Sequence, residues 1–167
     1  EGGLRGSEYY GQHPTFPAGR IAANLNFDGF EPIGRTKDIS VAGAERTTMW
    51  PTVQAIAKRL NFQIKADPHP EQGHYFRSDH FSMARVGIPA FSINQGDEVW
   101  GKPASYGEQR FQEYNEKHYH QPSDEYQDDW DFSGLEQIAR FGLALGMEIA
   151  NQAKLPDWVP GDSFKRQ

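Results

Sequence analysis

The chain contains no cysteine among its 167 residues, which excludes disulfide bonds, thiolate zinc sites, iron-sulfur clusters and a cysteine nucleophile. It also lacks a block of basic residues, since 17 lysines and arginines stand against 23 aspartates and glutamates, a formal net charge of -6. This balance argues against nucleic acid as a partner. Apolar runs extend over only a few residues, so the sequence predicts neither a membrane span nor a signal peptide.

The length of the chain fits a single globular domain with a sizeable core. The first residue is Glu1 rather than a methionine, and the segment that follows is typical of the approach to a helix. We therefore expect a piece of a longer protein that lacks its N-terminal part.

Helical and strand-like hydrophobic spacings alternate along the chain, which predicts the α/β class. Helices are predicted over residues 7–12, 47–60, 78–86 and 132–153, and strands over residues 20–27, 38–43, 62–66 and 88–94. Ser78 or Asp79 is the expected cap of the third helix. Residues 95–131 show no clear period, so they are predicted to be a long irregular loop.

Two residues stand where metal ligands are often found, but each also has an ordinary structural interpretation. His120 precedes Asp124 by four residues, and a zinc-bound imidazole usually needs a carboxylate or carbonyl to hold its ring. A histidine in an aromatic loop is more often a surface or packing residue. Asp28 ends a predicted buried strand, where α/β sites gather, but Asp28-Gly29 is also a turn signal.

Four segments become informative when they are taken together and in order. They are EGGLRGSEYY at residues 1–10, NLNFDGF at 24–30, RSDHFSMARVGIPAF at 77–91 and YHQPSDEY at 119–126. This series resembles the zinc-dependent exopeptidases of the bacterial leucyl aminopeptidase type, which are related to glutamate carboxypeptidase. The resemblance implies a three-layer α/β/α zinc exopeptidase fold with a mixed sheet, truncated at its N-terminal side. It also implies that residues 1–155 are the C-terminal part of a peptidase catalytic domain and that 156–167 form a tail.

The resemblance also implies a set of metal ligands. Glu1 and His120 would bind one zinc ion, Asp28 would bind a second, and Asp79 and Asp124 would support the ligands. Two zinc ions that share a water molecule activate that water and polarise the scissile carbonyl. The implied activity is therefore an aminopeptidase that hydrolyses N-terminal residues from peptides.

The choice between two neighbouring histidines rests on the same motif. His118 is the local rival for the ligand role, but His120 holds the position directly before Gln-Pro-Ser-Asp. The resemblance therefore favours His120.

The chain departs from the family pattern in what it lacks. The general-base glutamate would come directly before Glu1, and a first histidine ligand and a bridging aspartate would lie further upstream. We therefore expect this fragment alone to bind zinc weakly and to be inactive as a peptidase. Its partners would be a peptide substrate and the missing N-terminal part, and an exposed sheet edge would favour self-association. Family members are often exported, so a periplasmic or secreted location is expected.

Aromatic residues in and beside the irregular segments are candidates for a hydrophobic pocket that accepts the terminal side chain of a substrate. They are Tyr75, Phe76, Trp100, Tyr106 and Tyr119. Packing is the competing interpretation of each ring. Two other functions stay open: a non-catalytic binding or receptor-type relative, and a glutaminyl cyclase-like acyltransferase that uses a single zinc ion.

Overall fold

The computed structural model describes residues 3–29, 31–66 and 73–166, with the backbone alone at residue 74. Five α-helices and five short β-strands alternate in this part of the chain. The helices are α1 (Arg5–Gln12), α2 (Trp50–Arg59), α3 (Asp79–Arg85), α4 (Tyr106–Lys117) and α5 (Ser133–Ala150). The strands are β1 (Asn24–Asn26), β2 (Asp38–Ser40), β3 (Gln63–Lys65), β4 (Ala90–Ser92) and β5 (Asn94–Gln95).

The strands pair in both directions. β1 is parallel to β4, and β2 is parallel to β3 but antiparallel to β5. β4 and β5 are separated only by Ile93, which connects the β1–β4 pair to the sheet of β2, β3 and β5. The Ile93 amide donates to the Asn26 carbonyl at 2.8 Å. The Ser92 amide donates to the Ala42 carbonyl at 3.2 Å on the other side. The α/β class is therefore confirmed, with mixed strand pairing.

The fully buried strand β4 separates two apolar clusters. Phe91 belongs to a large cluster with the apolar faces of α2 and α5, whereas Ala90 belongs to a smaller one with α3. Successive side chains of a strand point to opposite faces, so helices pack on both sides of β4. The large cluster includes Ile39, Val53, Ile56, Ile93, Ile138, Phe141, Leu145 and Ile149.

The prediction of an irregular segment over residues 95–131 is wrong, because this segment contains α4. The helix is almost entirely exposed, and only Gly107 within it is buried. The sequence of α4 therefore lacks the 3.6-residue repeat of apolar residues by which a helix that packs on a core is predicted. Polar pairs one turn apart stabilise it instead, with Glu113 contacting both Arg110 and Lys117 at 3.0 Å.

Residues near the C-terminus pack against the body of the protein. Trp158 is buried, forms a bridge to Thr47 and donates its indole N–H to the Gly87 carbonyl at 3.1 Å. The guanidinium of Arg166 donates to the carbonyl oxygens of Ile21 and Ala22 at 2.9 and 3.0 Å. Across the described ranges, no helix combines the length and the hydropathy that crossing a membrane requires.

Candidate functional site

A hydrogen-bonded relay orients the carboxylate of Asp28 just beyond the C-terminal end of β1. The Ser78 hydroxyl donates to Asp28 Oδ2 at 2.6 Å, and Asn26 Nδ2 donates to the same hydroxyl oxygen at 2.8 Å. Because the amide hydrogen of Asn26 approaches the oxygen of Ser78, the hydroxyl proton is directed to Asp28. Asp28 is exposed, and its second carboxylate oxygen has no hydrogen-bond partner in the described part of the chain. One oxygen is thus held in place while the other faces solvent.

Of the two residues that position Asp28, sequence reasoning named Ser78, as a helix cap, and missed Asn26. Ser78 occupies the N-cap position of α3, as expected, but its hydroxyl makes no capping bond and contacts Asp28 instead. The available signal was the spacing of Asn26 and Asp28, since residues two apart on a strand share a face. Nothing local indicates that Ser78, 50 positions along the chain from Asp28, completes the contact.

A buried histidine lies behind this relay. His80 is fully buried, and neither of its ring nitrogens has a hydrogen-bond partner among the described residues. Its ring meets the Tyr75 ring edge-on, with centroids 4.6 Å apart. Burial lowers the pKa of His80 to about 4, although the nearby carboxylates of Asp28 and Asp79 act in the opposite direction. His80 is therefore neutral near pH 7 and brings no positive charge to Asp28.

The two neighbouring histidines differ in how their rings are engaged. His118 Nδ1 lies 3.0 Å from the Ser123 carbonyl oxygen. His120 is exposed, has a positive φ of 57° and stacks on the Tyr119 ring with centroids 3.9 Å apart. Its ring nitrogens make no hydrogen bond within the described ranges. Each ring therefore keeps at least one nitrogen without a hydrogen bond in the described part of the chain, and a carbonyl oxygen holds the ring of His118. The preference for His120 stays a prediction that rests on the motif.

The expected supporting carboxylates contact neither Asp28 nor His120 through a hydrogen bond in the described part of the chain. Asp124 accepts a hydrogen bond from the Tyr114 hydroxyl at 2.9 Å. Burial, with the Asp124 hydrogen bond as a second cause, raises the pKa of Tyr114 to about 12. Asp79 is exposed. The supporting roles of Asp79 and Asp124 stay predictions.

The candidate metal ligands among the described residues are too few to form a metal site. Residues 3–29, 31–66 and 73–166 contain no group of three or more histidine, aspartate or glutamate side chains that could hold one. Glu1, the expected third ligand, lies outside the described residues. Carboxylate and imidazole donors suit zinc chemically, but Asp28 and His120 do not make a site by themselves. The described residues therefore do not fit a zinc ion on their own, and no reaction step is derived through one.

The five aromatic candidates for a substrate pocket lie in separate groups. Tyr75 contacts Phe76 edge-on at 5.4 Å, Lys37 lies 5.2 Å from the Trp100 ring, and Lys102 lies 5.0 Å from the Tyr106 ring. Tyr119 stacks on His120. No ring contact joins these groups within the described residues. Tyr119 is the candidate that directly touches an expected ligand, and the pocket stays a prediction.

Glu31 is an ionisable residue close to Asp28 in sequence that sequence reasoning missed. It follows Asp28 by three residues, is half-buried, and its Oε1 is buried without a hydrogen-bond partner among the described residues. Burial raises its pKa to about 7, with Arg110 on α4 opposing the shift and Glu113 adding to it. Glu31 is therefore a carboxyl group that gains or loses its proton near neutral pH.

Comparisons with known proteins identify the family. The model of peptidase family M28 matches residues 1–145. The match covers far more than half of the chain, so the chain belongs to this family, which supports a peptidase function. No curated protein and no solved structure matches the chain.

Proposed function

We propose that, as a member of peptidase family M28, the chain is the C-terminal part of a zinc-dependent exopeptidase that removes N-terminal residues from peptides. The observation that carries the proposal is the oriented carboxylate of Asp28, held by Ser78 at the end of β1, within a sequence that the family model matches. A hydrogen bond from outside the metal shell fixes the rotamer of a ligating carboxylate and the direction of its free oxygen. This arrangement suits a ligand better than a turn residue.

In the proposed site, this chain supplies three of the zinc ligands and the N-terminal part of the protein supplies the others. Asp28 and His120 present a carboxylate oxygen and an imidazole nitrogen to solvent, and Glu1 would be the third donor. The general-base glutamate, a first histidine and the bridging aspartate would come from the N-terminal part of the protein. The fragment alone is then inactive, since it has no base to take a proton from water. When bound, zinc supplies Lewis-acid polarisation of a peptide carbonyl.

The proposed partner surface is the edge of the sheet at β1. In the described part of the chain β1 pairs only with β4, and an apolar groove lined by Leu135, Ala139 and Leu143 of α5 lies beside Phe27, directly after β1. The missing N-terminal part would extend a three-layer α/β/α fold here, and the fragment alone would self-associate through this edge. Sedimentation of the fragment as a monomer at high concentration would contradict this. A periplasmic or secreted location belongs to the same proposal.

The function is tested on the full-length protein beside the 167-residue chain. Leucyl peptides with a free N-terminus should be cleaved by the full-length protein with zinc and not by the fragment. The same peptides with an acetylated N-terminus are the control, and they should resist cleavage. Release of residues from the C-terminus of the acetylated peptides would overturn the aminopeptidase assignment but keep a peptidase. A full-length protein that binds no zinc and cleaves neither peptide would instead be a binding module.

A further inference from the structure

Three aromatic rings cluster on the surface just before and at the start of α5. The ring centroid of Trp130 lies 5.6 Å from that of Tyr126 and 5.9 Å from that of Phe132, and the outer two are 6.5 Å apart. Tyr126 and Phe132 are parallel within 1°, and Trp130 stands at 73° and 74° to them. Tyr126 is 64% exposed and Phe132 is 46% exposed. An exposed aromatic cluster of this kind is typical of a binding surface.

The backbone holds the three rings in this arrangement. Asp131 forms a bridge to Ile33, and its amide donates to the Pro32 carbonyl at 2.9 Å. Trp130 and Phe132 flank Asp131 in sequence, and their ring centroids lie 5.9 Å apart. The amide of Trp130 donates to the Gln127 carbonyl at 3.3 Å, which closes the turn that brings Tyr126 back to them.

The surroundings of the cluster carry uncompensated negative charge. Glu125, Asp128 and Asp129 flank the rings in sequence and are exposed. None of the three forms an ion pair with a lysine or arginine in the part of the chain that the structure describes. Aromatic faces are themselves negative, so rings and carboxylates together favour a cation.

The same chain already shows how such rings hold a cation. The guanidinium carbon of Arg46 lies 5.2 Å from the Tyr75 ring, 5.8 Å from the Trp158 ring and 4.8 Å from the Phe164 ring. These are again one tyrosine, one tryptophan and one phenylalanine. Within the described ranges, however, no lysine or arginine lies over the surface cluster of Tyr126, Trp130 and Phe132.

We propose that Tyr126, Trp130 and Phe132 form a binding site for the cationic side chain of a lysine or arginine in a peptide. Glu125, Asp128 and Asp129 draw the cation to the rings, and the rings bind its alkyl stem and charged group. The site is independent of the proposed peptidase chemistry, because none of its residues is an expected zinc ligand or an expected base.

The 167-residue chain is titrated with amino acid derivatives, and binding is followed by NMR. The derivatives are blocked at both ends, so that any binding of a free amino or carboxyl terminus is excluded. Acetyl-arginine amide and acetyl-lysine amide should shift the indole N–H resonance of Trp130 with dissociation constants of about 1 mM. Acetyl-norleucine amide, which keeps the stem and lacks the charge, should bind at least about tenfold more weakly. Equal shifts by the norleucine compound would overturn the proposal.

Two variants measure separately how much the aromatic rings and how much the carboxylates contribute to binding. Trp130→Leu should lower the association constant at least about tenfold, measured on the Tyr126 resonances. The double change Asp128→Asn with Asp129→Asn should lower it about threefold and weaken its salt dependence. Phe111→Leu, at an exposed phenylalanine on α4, is the matched control and should change nothing. Unchanged binding in either variant would contradict the proposal, and the charge variant decides it if Trp130→Leu does not fold.

Discussion

Removing Arg46 should destabilise the protein far more than removing an arginine from an ordinary surface ion pair. Arg46 donates to both carboxylate oxygens of Asp162, at 2.9 and 2.8 Å, and the two side chains are only 25% and 7% exposed. Arg46→Met leaves the buried carboxylate of Asp162 without its partner and removes the cation from three aromatic rings. Breaking a buried ion pair lowers the free energy of unfolding by about 3 to 5 kcal/mol. Because Arg46 is partly exposed, we expect a loss of about 3 kcal/mol for Arg46→Met.

Urea unfolding followed by circular dichroism measures the effect. With a denaturant slope of about 2 kcal/mol/M, the midpoint of Arg46→Met should fall by about 1.5 M. Arg59→Met is the matched control, because Arg59 and Glu148 form a single 3.5 Å contact with both side chains more than half exposed. It should cost less than about 0.5 kcal/mol. Equal losses in the two variants would refute the argument that burial of the pair decides its contribution.

Three further changes test other parts of the structure. Ser78→Ala in the full-length protein removes the hydroxyl that orients Asp28, the proposed zinc ligand, so zinc affinity measured by competition with a chelator should fall at least about tenfold. Gly96→Ala drives a methyl group into the Asp38 carboxylate and should cost about 1 to 3 kcal/mol in urea unfolding, whereas Gly146→Ala, which has open space, should be neutral or stabilising. The pKa of Glu31 is raised from 4.5 to about 7, so the folded state binds more protons and stability should fall as the pH rises through that window. Because water screens the partly exposed Glu31, the total loss of stability across this pH window should stay below about 2 kcal/mol. Glu31→Gln should abolish this pH dependence, and a pH dependence that persists in the variant would contradict its assignment to Glu31.

The alternation of helices and strands was predictable because most elements carry a local pattern. The strand around Phe91 is apolar on both faces, and α5 repeats apolar residues every three or four positions, as helices that cover a sheet do. Helix α4 was not predictable in this way, since ion pairs rather than a buried face stabilise it. The strand predicted over residues 20–27 is also shorter in the structure, since β1 covers Asn24–Asn26 and a turn of 3-10 helix covers Ala18–Arg20.

Asp28 and His120 are predicted as ligands from motifs, because each motif is local, and these roles stay predictions. The contacts around the candidate site were less predictable. The hydrogen bond that orients Asp28 is not local, because Ser78 reaches it across 50 positions of the chain. The pKa of Glu31 also depends on residues distant in sequence, since the charges of Arg110 and Glu113 on α4 act on it.

The zinc content of the full-length protein tests whether Asp28 is a zinc ligand, as proposed. After dialysis against zinc-free buffer, the wild-type protein should retain about two zinc ions per chain and Asp28→Asn about one. Asp129→Asn changes an exposed aspartate that is not an expected ligand, and this control should retain both ions. A wild-type protein without zinc, or an Asp28→Asn variant that keeps both ions, would contradict the proposed ligand role of Asp28.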